Sequence, residues 1–150
     1  MYRTILVPLD GSSLAERALP FGIFLAQSSG ARILLLRAIG APAFAIGDPI
    51  PRISQEMRAA DNYLSSIATT VTRPTVVEAV TFAGNAADAI VAEITLRQID
   101  LVVMSTHGRS GFGRWVYGSV ADAVVRRGAC PTILVPAMAR DWPDDRPLRI

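Results

Sequence analysis

The chain has no lysine, one cysteine and one histidine, and each shortage narrows the chemistry open to it. All 15 basic residues are arginine, which excludes lysine-dependent phosphate loops and Schiff-base enzymes. Any side-chain cation that meets a phosphate must therefore be an arginine. Cys130 has no second cysteine with which to form a disulfide within the chain. His107 has no cysteine, histidine or paired carboxylate beside it, so no metal site is expected.

The chain also lacks long apolar runs and a strong net charge. No apolar run approaches the roughly 20 residues that a membrane-spanning helix needs. Met1–Thr4 leads straight into the apolar Ile5–Val7, without the charged leader of a signal peptide. A net charge of +2 is too small to indicate a nucleic-acid partner. We therefore expect a cytoplasmic protein that binds neither membranes nor nucleic acid.

Length and composition predict one domain and a tail. With 150 residues, 51% of them hydrophobic, the chain can bury one sizeable core. The last residues mix arginine, aspartate and proline, a composition typical of an exposed segment. The predicted domain therefore covers residues 1–136, and residues 137–150 form a polar C-terminal tail.

Apolar strand patterns alternate with helical patterns along the domain. Strands are expected at Arg3–Leu9, Ile33–Ile39, Val76–Phe82, Asp100–Met104 and Thr132–Val135. A first helix is expected after Ser12, with a kink at Pro20. A loop at 40–51 precedes a second helix from Ile53 to Val71. A third helix is expected after Asn85, and a fourth at Ser119–Arg127. Because the strands are apolar on both faces, the pattern predicts an α/β fold, a parallel sheet with helices on both sides.

The stretch Met104–Val120 is the clearest candidate for a binding site. It follows the fourth strand, precedes a helix and contains four glycines, Gly108, Gly111, Gly113 and Gly118. A glycine-rich turn that leads into a helix presents free N–H groups to an anion. In parallel sheets, ligands bind beyond the carboxyl ends of strands where the strand order reverses. If the first and fourth strands are neighbours there, the turn Pro8–Ser12 faces the same crevice.

Two motifs of this sequence resemble the signatures of the universal stress protein family, in its nucleotide-binding branch. The first is Ile5–Ser12, with the sequence ILVPLDGS. The second is Thr106-His107-Gly108, then nine residues, Gly118-Ser119, and later Cys130–Val135. The resemblance covers roughly residues 2–136. It implies a three-layer α/β/α sandwich, Rossmann-like and similar to adenine nucleotide alpha hydrolases, whose five-stranded parallel sheet has the order 3-2-1-4-5.

The resemblance also implies a set of site residues and a partner. Residues that would line the adenosine pocket or hold the phosphates are Pro8, Leu9, Asp10, Ala38, Met104, Ser105, Gly108, Arg109, Gly118, Ser119 and Val120. The implied ligand is ATP or AMP, with or without Mg²⁺. The implied partner is a second copy of the chain, paired antiparallel through the strand Thr132–Val135, besides a protein partner that the sequence does not identify.

Several of these residues also have purely structural interpretations. Ser119 could serve only as a helix N-cap, with Asp122 completing a pair like a capping box. Asp10 could simply start the turn and cap the first helix. Ser105 stands where the family's ATP-binding pattern has its first glycine. If that glycine is needed for a positive φ, serine strains the turn. If it is needed so that the ligand can approach the backbone closely, the serine side chain crowds the ligand. If the residue only ends the fourth strand, serine is harmless.

We expect an adenine-nucleotide-binding regulatory protein of the stress response rather than an enzyme. No catalytic triad, metal cluster or general base can be placed beside the glycine-rich loop. Slow hydrolysis of bound ATP is the most that a phosphate cradle would add. The main alternative is a dimeric interaction module of the same fold that binds no nucleotide. A third hypothesis is an enzyme that acts on a phosphorylated or adenylated metabolite.

Overall fold

Five parallel strands form the centre of the computed structural model, which describes residues 1–40, 50–71, 75–106 and 118–137. The strands are β1 (Thr4–Pro8), β2 (Arg32–Ile39), β3 (Val77–Ala83), β4 (Leu101–Thr106) and β5 (Thr132–Pro136). They lie in the order β3-β2-β1-β4-β5, which confirms the expected fold class and strand order. The order reverses between β1 and β4, so the carboxyl ends of these two strands lie side by side.

Helices connect the strands and cover both faces of the sheet. They are α1 (Ser13–Glu16), α2 (Leu19–Ser29), α3 (Ile50–Thr70), α4 (Ala86–Leu96) and α5 (Ser119–Arg127). One apolar cluster joins the first three helices to one face of the sheet, and a second joins α4 and α5 to the other face. The predicted arrangement of helix, sheet and helix layers is therefore confirmed.

Alternation along the strands produces these two cores. Ile5 and Val7 of β1 are fully buried in the first cluster, whereas Leu6 between them is fully buried in the second. Adjacent side chains of a strand point to opposite faces, so a strand in the middle of a covered sheet must be apolar at every position. This requirement explains the continuous apolar runs in the sequence.

The first predicted helix is two helices. α1 ends at Glu16, and α2 begins at Leu19 with Pro20 in its first turn. Proline has no N–H to donate and clashes in a helix interior, but it fits a first turn, where the N–H groups lack intrahelical partners. The single kinked helix expected from the sequence is therefore wrong, and Pro20 marks a new helix start.

Most other element boundaries also differ from expectation, by a few residues at most. α3 begins at Ile50 rather than Ile53, and Pro51 occupies its first turn, as proline can. β4 continues past Met104 to Thr106. The centre of the predicted loop, residues 41–49, and the tail beyond residue 137 lie outside the described residues, so the domain boundary at residue 136 stays a prediction.

Asp100 fixes the start of β1 against the start of β4. Its carboxylate Oδ2 accepts hydrogen bonds from the backbone N–H groups of Arg3 and Thr4, each at 2.8 Å. These bonds stabilise the charged form and hold the pKa of Asp100 below its ordinary value of 3.8. The register of the two strands at this end determines how their carboxyl ends meet at the other end.

The described part of the chain contains no helix long and apolar enough to cross a membrane.

Candidate functional site

A cavity of about 220 Å³ opens at the carboxyl ends of the strands, where the strand order reverses. Its walls come from β1 and the turn after it, from α1, from the ends of β2 and β4, and from the first turns of α4 and α5. The lining residues are Pro8, Leu9, Asp10, Ala15, Leu36, Ala38, Ala86, Ile90, Met104, Ser105, Thr106, Gly118, Ser119, Val120 and Ala121. This is the location at which ligands bind in open parallel sheets.

The sequence-predicted site residues meet in this cavity. Nine of the eleven lie among the described residues, and all nine line it: Pro8, Leu9, Asp10, Ala38, Met104, Ser105, Gly118, Ser119 and Val120. The other two, Gly108 and Arg109, lie outside the described residues, as does His107. Residues almost 100 positions apart in sequence therefore share one wall because the fold places β1 beside β4.

Sequence reasoning missed six lining residues: Ala15, Leu36, Ala86, Ile90, Thr106 and Ala121. A sequence signal was available for some of them. Leu36 precedes Ala38 by two positions and therefore shares its face of β2. Ala86 and Ile90 are four positions apart and share one face of α4. What the sequence does not indicate is that this face of α4 closes the cavity.

The turn after β1 is built by local hydrogen bonds. Asp10 Oδ1 accepts from the backbone N–H of Ser12 at 2.8 Å, and Ser12 Oγ accepts from the N–H of Ala15 at 3.1 Å. Gly11 between them has φ +87°, a conformation that side chains other than glycine rarely adopt. Asp10 thus starts the turn, whereas the capping of α1 belongs to Ser12. The Asp10 side chain remains exposed at the rim of the cavity.

The first turn of α5 forms the opposite wall. Its N-cap is Gly118, without a side-chain bond, and Ser119 is already the first helical residue. The alternative interpretation, in which Ser119 is only an N-cap paired with Asp122, is therefore wrong. Asp122 instead pairs with Arg126 one turn on, at 2.9 Å. The N–H groups of this first turn have no intrahelical acceptor, and with the helix dipole they favour an anion.

Ser105 has an ordinary strand conformation. It lies within β4 in register with Val135 of β5. Among the described residues other than glycine, positive φ occurs only at Gln98. The interpretation that serine strains this position is therefore wrong for this structure. Ser105 does line the cavity.

The remaining polar chemistry near the cavity is sparse. Across residues 1–40, 50–71, 75–106 and 118–137, no three His, Cys, Asp or Glu side chains come together to hold a metal ion. Cys130 is half-buried against the cluster under α4 and α5. Burial raises the pKa of its thiol, which keeps it protonated at neutral pH. Cys130 is thus an apolar filler rather than a nucleophile.

Comparison with known proteins gives the same family as the two sequence motifs. The model of the universal stress protein family matches residues 1–136. A relative from Thermus aquaticus, named "Universal stress protein in QAH/OAS sulfhydrylase 3'region", is 31% identical over 137 residues, which cover 90% of this chain and 99% of that protein.

Solved structures of this fold include two with a nucleotide bound. A universal stress protein from Arabidopsis thaliana with AMP bound has a TM-score of 0.68 at 18% identity, over 95% of this chain and 97% of that one. A universal stress protein in complex with cAMP has a TM-score of 0.63 at 23% identity, over 89% of this chain and 97% of that one. The fold is therefore shared. Together with the family match over almost the whole domain, these comparisons show that the chain belongs to the universal stress protein family.

Proposed function

We propose that this protein binds an adenine nucleotide, ATP or AMP, in the cavity between β1 and β4, and that it acts as a stress-response regulator. The observation that carries the proposal is the convergence there of the turn after β1, the end of β4 and the first turn of α5. The AMP and cAMP bound to proteins of the same fold support an adenine nucleotide.

The walls of the cavity match the two halves of a nucleotide. Leu36, Ala38 and Ile90 form an apolar surface for a base, and small side chains beside them leave room for it. Asp10 supplies a carboxylate acceptor for hydroxyl or amino donors of adenosine. The phosphates would lie toward the N–H groups at the start of α5 and the Ser119 hydroxyl. Mg²⁺ accompanying ATP would be bound by the phosphate oxygens.

The site is better suited to binding than to catalysis. Asp10 is the only titratable side chain among the residues that line the cavity, so the described part of the chain offers little for proton transfer. Regulation would then come from binding itself, if the nucleotide changes the surface that the protein presents to a partner protein. We place this activity in the cytoplasm.

Nucleotide retention by the purified protein tests the proposal. The protein is extracted with acid, and the supernatant is resolved by anion-exchange chromatography. Calorimetric titrations with AMP and with ATP–Mg²⁺ are run on protein freed of nucleotide. We expect ATP or AMP in the extract and saturable heat with at least one of the two. An empty extract without heat of binding would overturn the proposal and favour the nucleotide-free interaction module.

Ser105 gives that alternative a specific physical cause. The variant Ser105→Gly removes the side chain of a residue that lines the cavity and introduces the first glycine of the family's ATP-binding pattern. Binding by this variant but not by the natural chain would show that crowding at Ser105 had converted the fold into an interaction module.

We further propose that two copies of the chain pair through β5. Among the described strands it is hydrogen-bonded to β4 alone, so it forms one edge of the described sheet. An exposed apolar edge strand tends to pair with another chain. Ile133 on this strand is 37% exposed, whereas Val135 is 2% exposed and packs in the core. A substitution at Ile133 therefore tests the interface with less risk to the fold than one at Val135.

The variant Ile133→Lys is expected to be monomeric, because pairing would bring two buried ammonium groups together. Light scattering should report half the mass of the natural assembly. The matched control is Val76→Lys, which places the same charge at an exposed position beside the opposite edge strand, β3. The control should keep the mass of the natural protein. A dimeric Ile133→Lys protein would contradict the proposed interface.

A further inference from the structure

A cationic side chain stands directly behind the cavity, on the other face of the sheet. Arg37 and Ala38 are neighbours on β2, so their side chains point to opposite faces. Ala38 lines the cavity, whereas Arg37 reaches the side covered by α1 and α3. A Cβ placed on Gly11 would lie 3.1 Å from Arg37 Nη2 and 3.3 Å from its Cζ. The guanidinium therefore packs against the backbone of the turn that carries Asp10.

An aromatic ring holds the same guanidinium from α3. Arg37 Cζ lies 4.8 Å from the centroid of the Tyr63 ring, within the range of a cation–π contact. The Tyr63 hydroxyl donates to Glu16 Oε1 of α1 at 2.8 Å. Burial first, and then this bond and the charge of Glu16, raise the pKa of Tyr63 above its usual value of 10. The phenol thus stays neutral and keeps donating at every physiological pH.

These contacts link α3 and β2 to α1 and to the turn that directly precedes α1. Tyr63 ties α3 to α1 through Glu16, and Arg37 ties both to the turn between β1 and α1. Glycine suits this position because its φ of +87° disfavours a side chain, and a Cβ there would also lie close to the guanidinium. The turn is thus supported from behind by a charged group as well as by its own hydrogen bonds.

We propose that Arg37, held between the Tyr63 ring and Gly11, is a positioning residue that sets the Asp10 carboxylate for nucleotide binding. The inference rests on the proposed function, because it assigns to Asp10 the contact with adenosine. Arg37 itself does not line the cavity, so its effect must pass through the turn. A side chain that acts only through Asp10 has no further effect once the Asp10 carboxylate is removed. That dependence distinguishes positioning from a general contribution to stability.

A double-mutant cycle with calorimetry tests this inference. AMP and ATP–Mg²⁺ are titrated into the natural chain, Arg37→Ala, Asp10→Ala and the double variant. We expect Arg37→Ala to weaken binding about tenfold, which corresponds to about 1.4 kcal/mol. In the Asp10→Ala background, the same substitution should change the affinity by less than about twofold. Arg37→Lys keeps a cation over the Tyr63 ring and should recover part of the loss.

The matched control is Arg32→Gln on the same strand. Arg32 pairs with Glu78 at the end of β2 away from the cavity, and Glu78 keeps a second partner in Arg97. This variant should bind nucleotide as the natural chain does.

Thermal unfolding of every variant shows whether it is folded at the temperature of the titration. Equal losses from Arg37→Ala with and without Asp10 would overturn the positioning role while leaving the proposed function intact. Absence of binding by the natural chain would overturn both.

Discussion

Replacing Ala38 with phenylalanine is expected to abolish nucleotide binding and to leave the fold intact. Ala38 is half-buried near the end of β2, and its side chain lines a cavity of only about 220 Å³. An aromatic ring there would occupy the space beside Leu36 and Ile90 that we assign to the base. A steric block of this kind cannot be relieved by a small shift of a surface side chain, because the surrounding core is closely packed. Phenylalanine is also favoured in strands.

The affinity for AMP or ATP–Mg²⁺ should fall at least 100-fold, which corresponds to about 2.7 kcal/mol of binding free energy. Calorimetry measures the loss, and circular dichroism checks that the variant is folded. The control is Ala79→Phe, which makes the same substitution at an exposed alanine of β3, an edge strand. It should bind as the natural chain does. Undiminished binding by Ala38→Phe would show that the nucleotide lies elsewhere.

The layered α/β fold class follows from local patterns, whereas the strand order was implied by the resemblance to the family. Continuous apolar runs such as Ile33–Leu36 require burial on both faces, and only a covered parallel sheet provides it. The element boundaries depend on finer chemistry. Pro20 fits a first turn as well as it disrupts a helix interior, and the sequence does not show which role it takes. Gly118 likewise takes the N-cap position that the sequence offered as an alternative role for Ser119.

In the candidate site, too, some residues could be predicted from the sequence and others could not. The residues at the carboxyl ends of β1 and β4 were predicted from the resemblance to the family, and the strand order places those ends side by side. The wall from α4 was not, because Ala86 and Ile90 reach the cavity only through the packing of that helix on the sheet. The contact between Arg37 and Tyr63 could not be predicted from the sequence either. It joins residues 26 positions apart, on a strand and a helix, and no local sequence pattern indicates it.

Replacing Leu64 with alanine is expected to cause a large loss of stability, because few buried side chains hold α3 to the sheet. This helix is 21 residues long and strongly amphipathic, yet among its described residues only Ala60 and Leu64 are fully buried. Leu64 is 0% exposed and belongs to the core cluster that contains Ile33 and Leu35 of β2. Truncation of such a leucine leaves a cavity and costs about 3 kcal/mol.

Urea unfolding should show this loss as a lower midpoint with little change in slope, and the melting temperature should fall by about 6 to 12 °C. The control is Ser65→Ala, an exposed neighbour on the same helix, whose effect should stay within about 0.5 kcal/mol. Equal effects of the two variants would mean that α3 adds little to the core. Because α3 also carries Tyr63, the measurement is made without nucleotide. A bound ligand would stabilise the folded chain, so the measured free energy of unfolding would include a contribution from ligand binding as well as from packing.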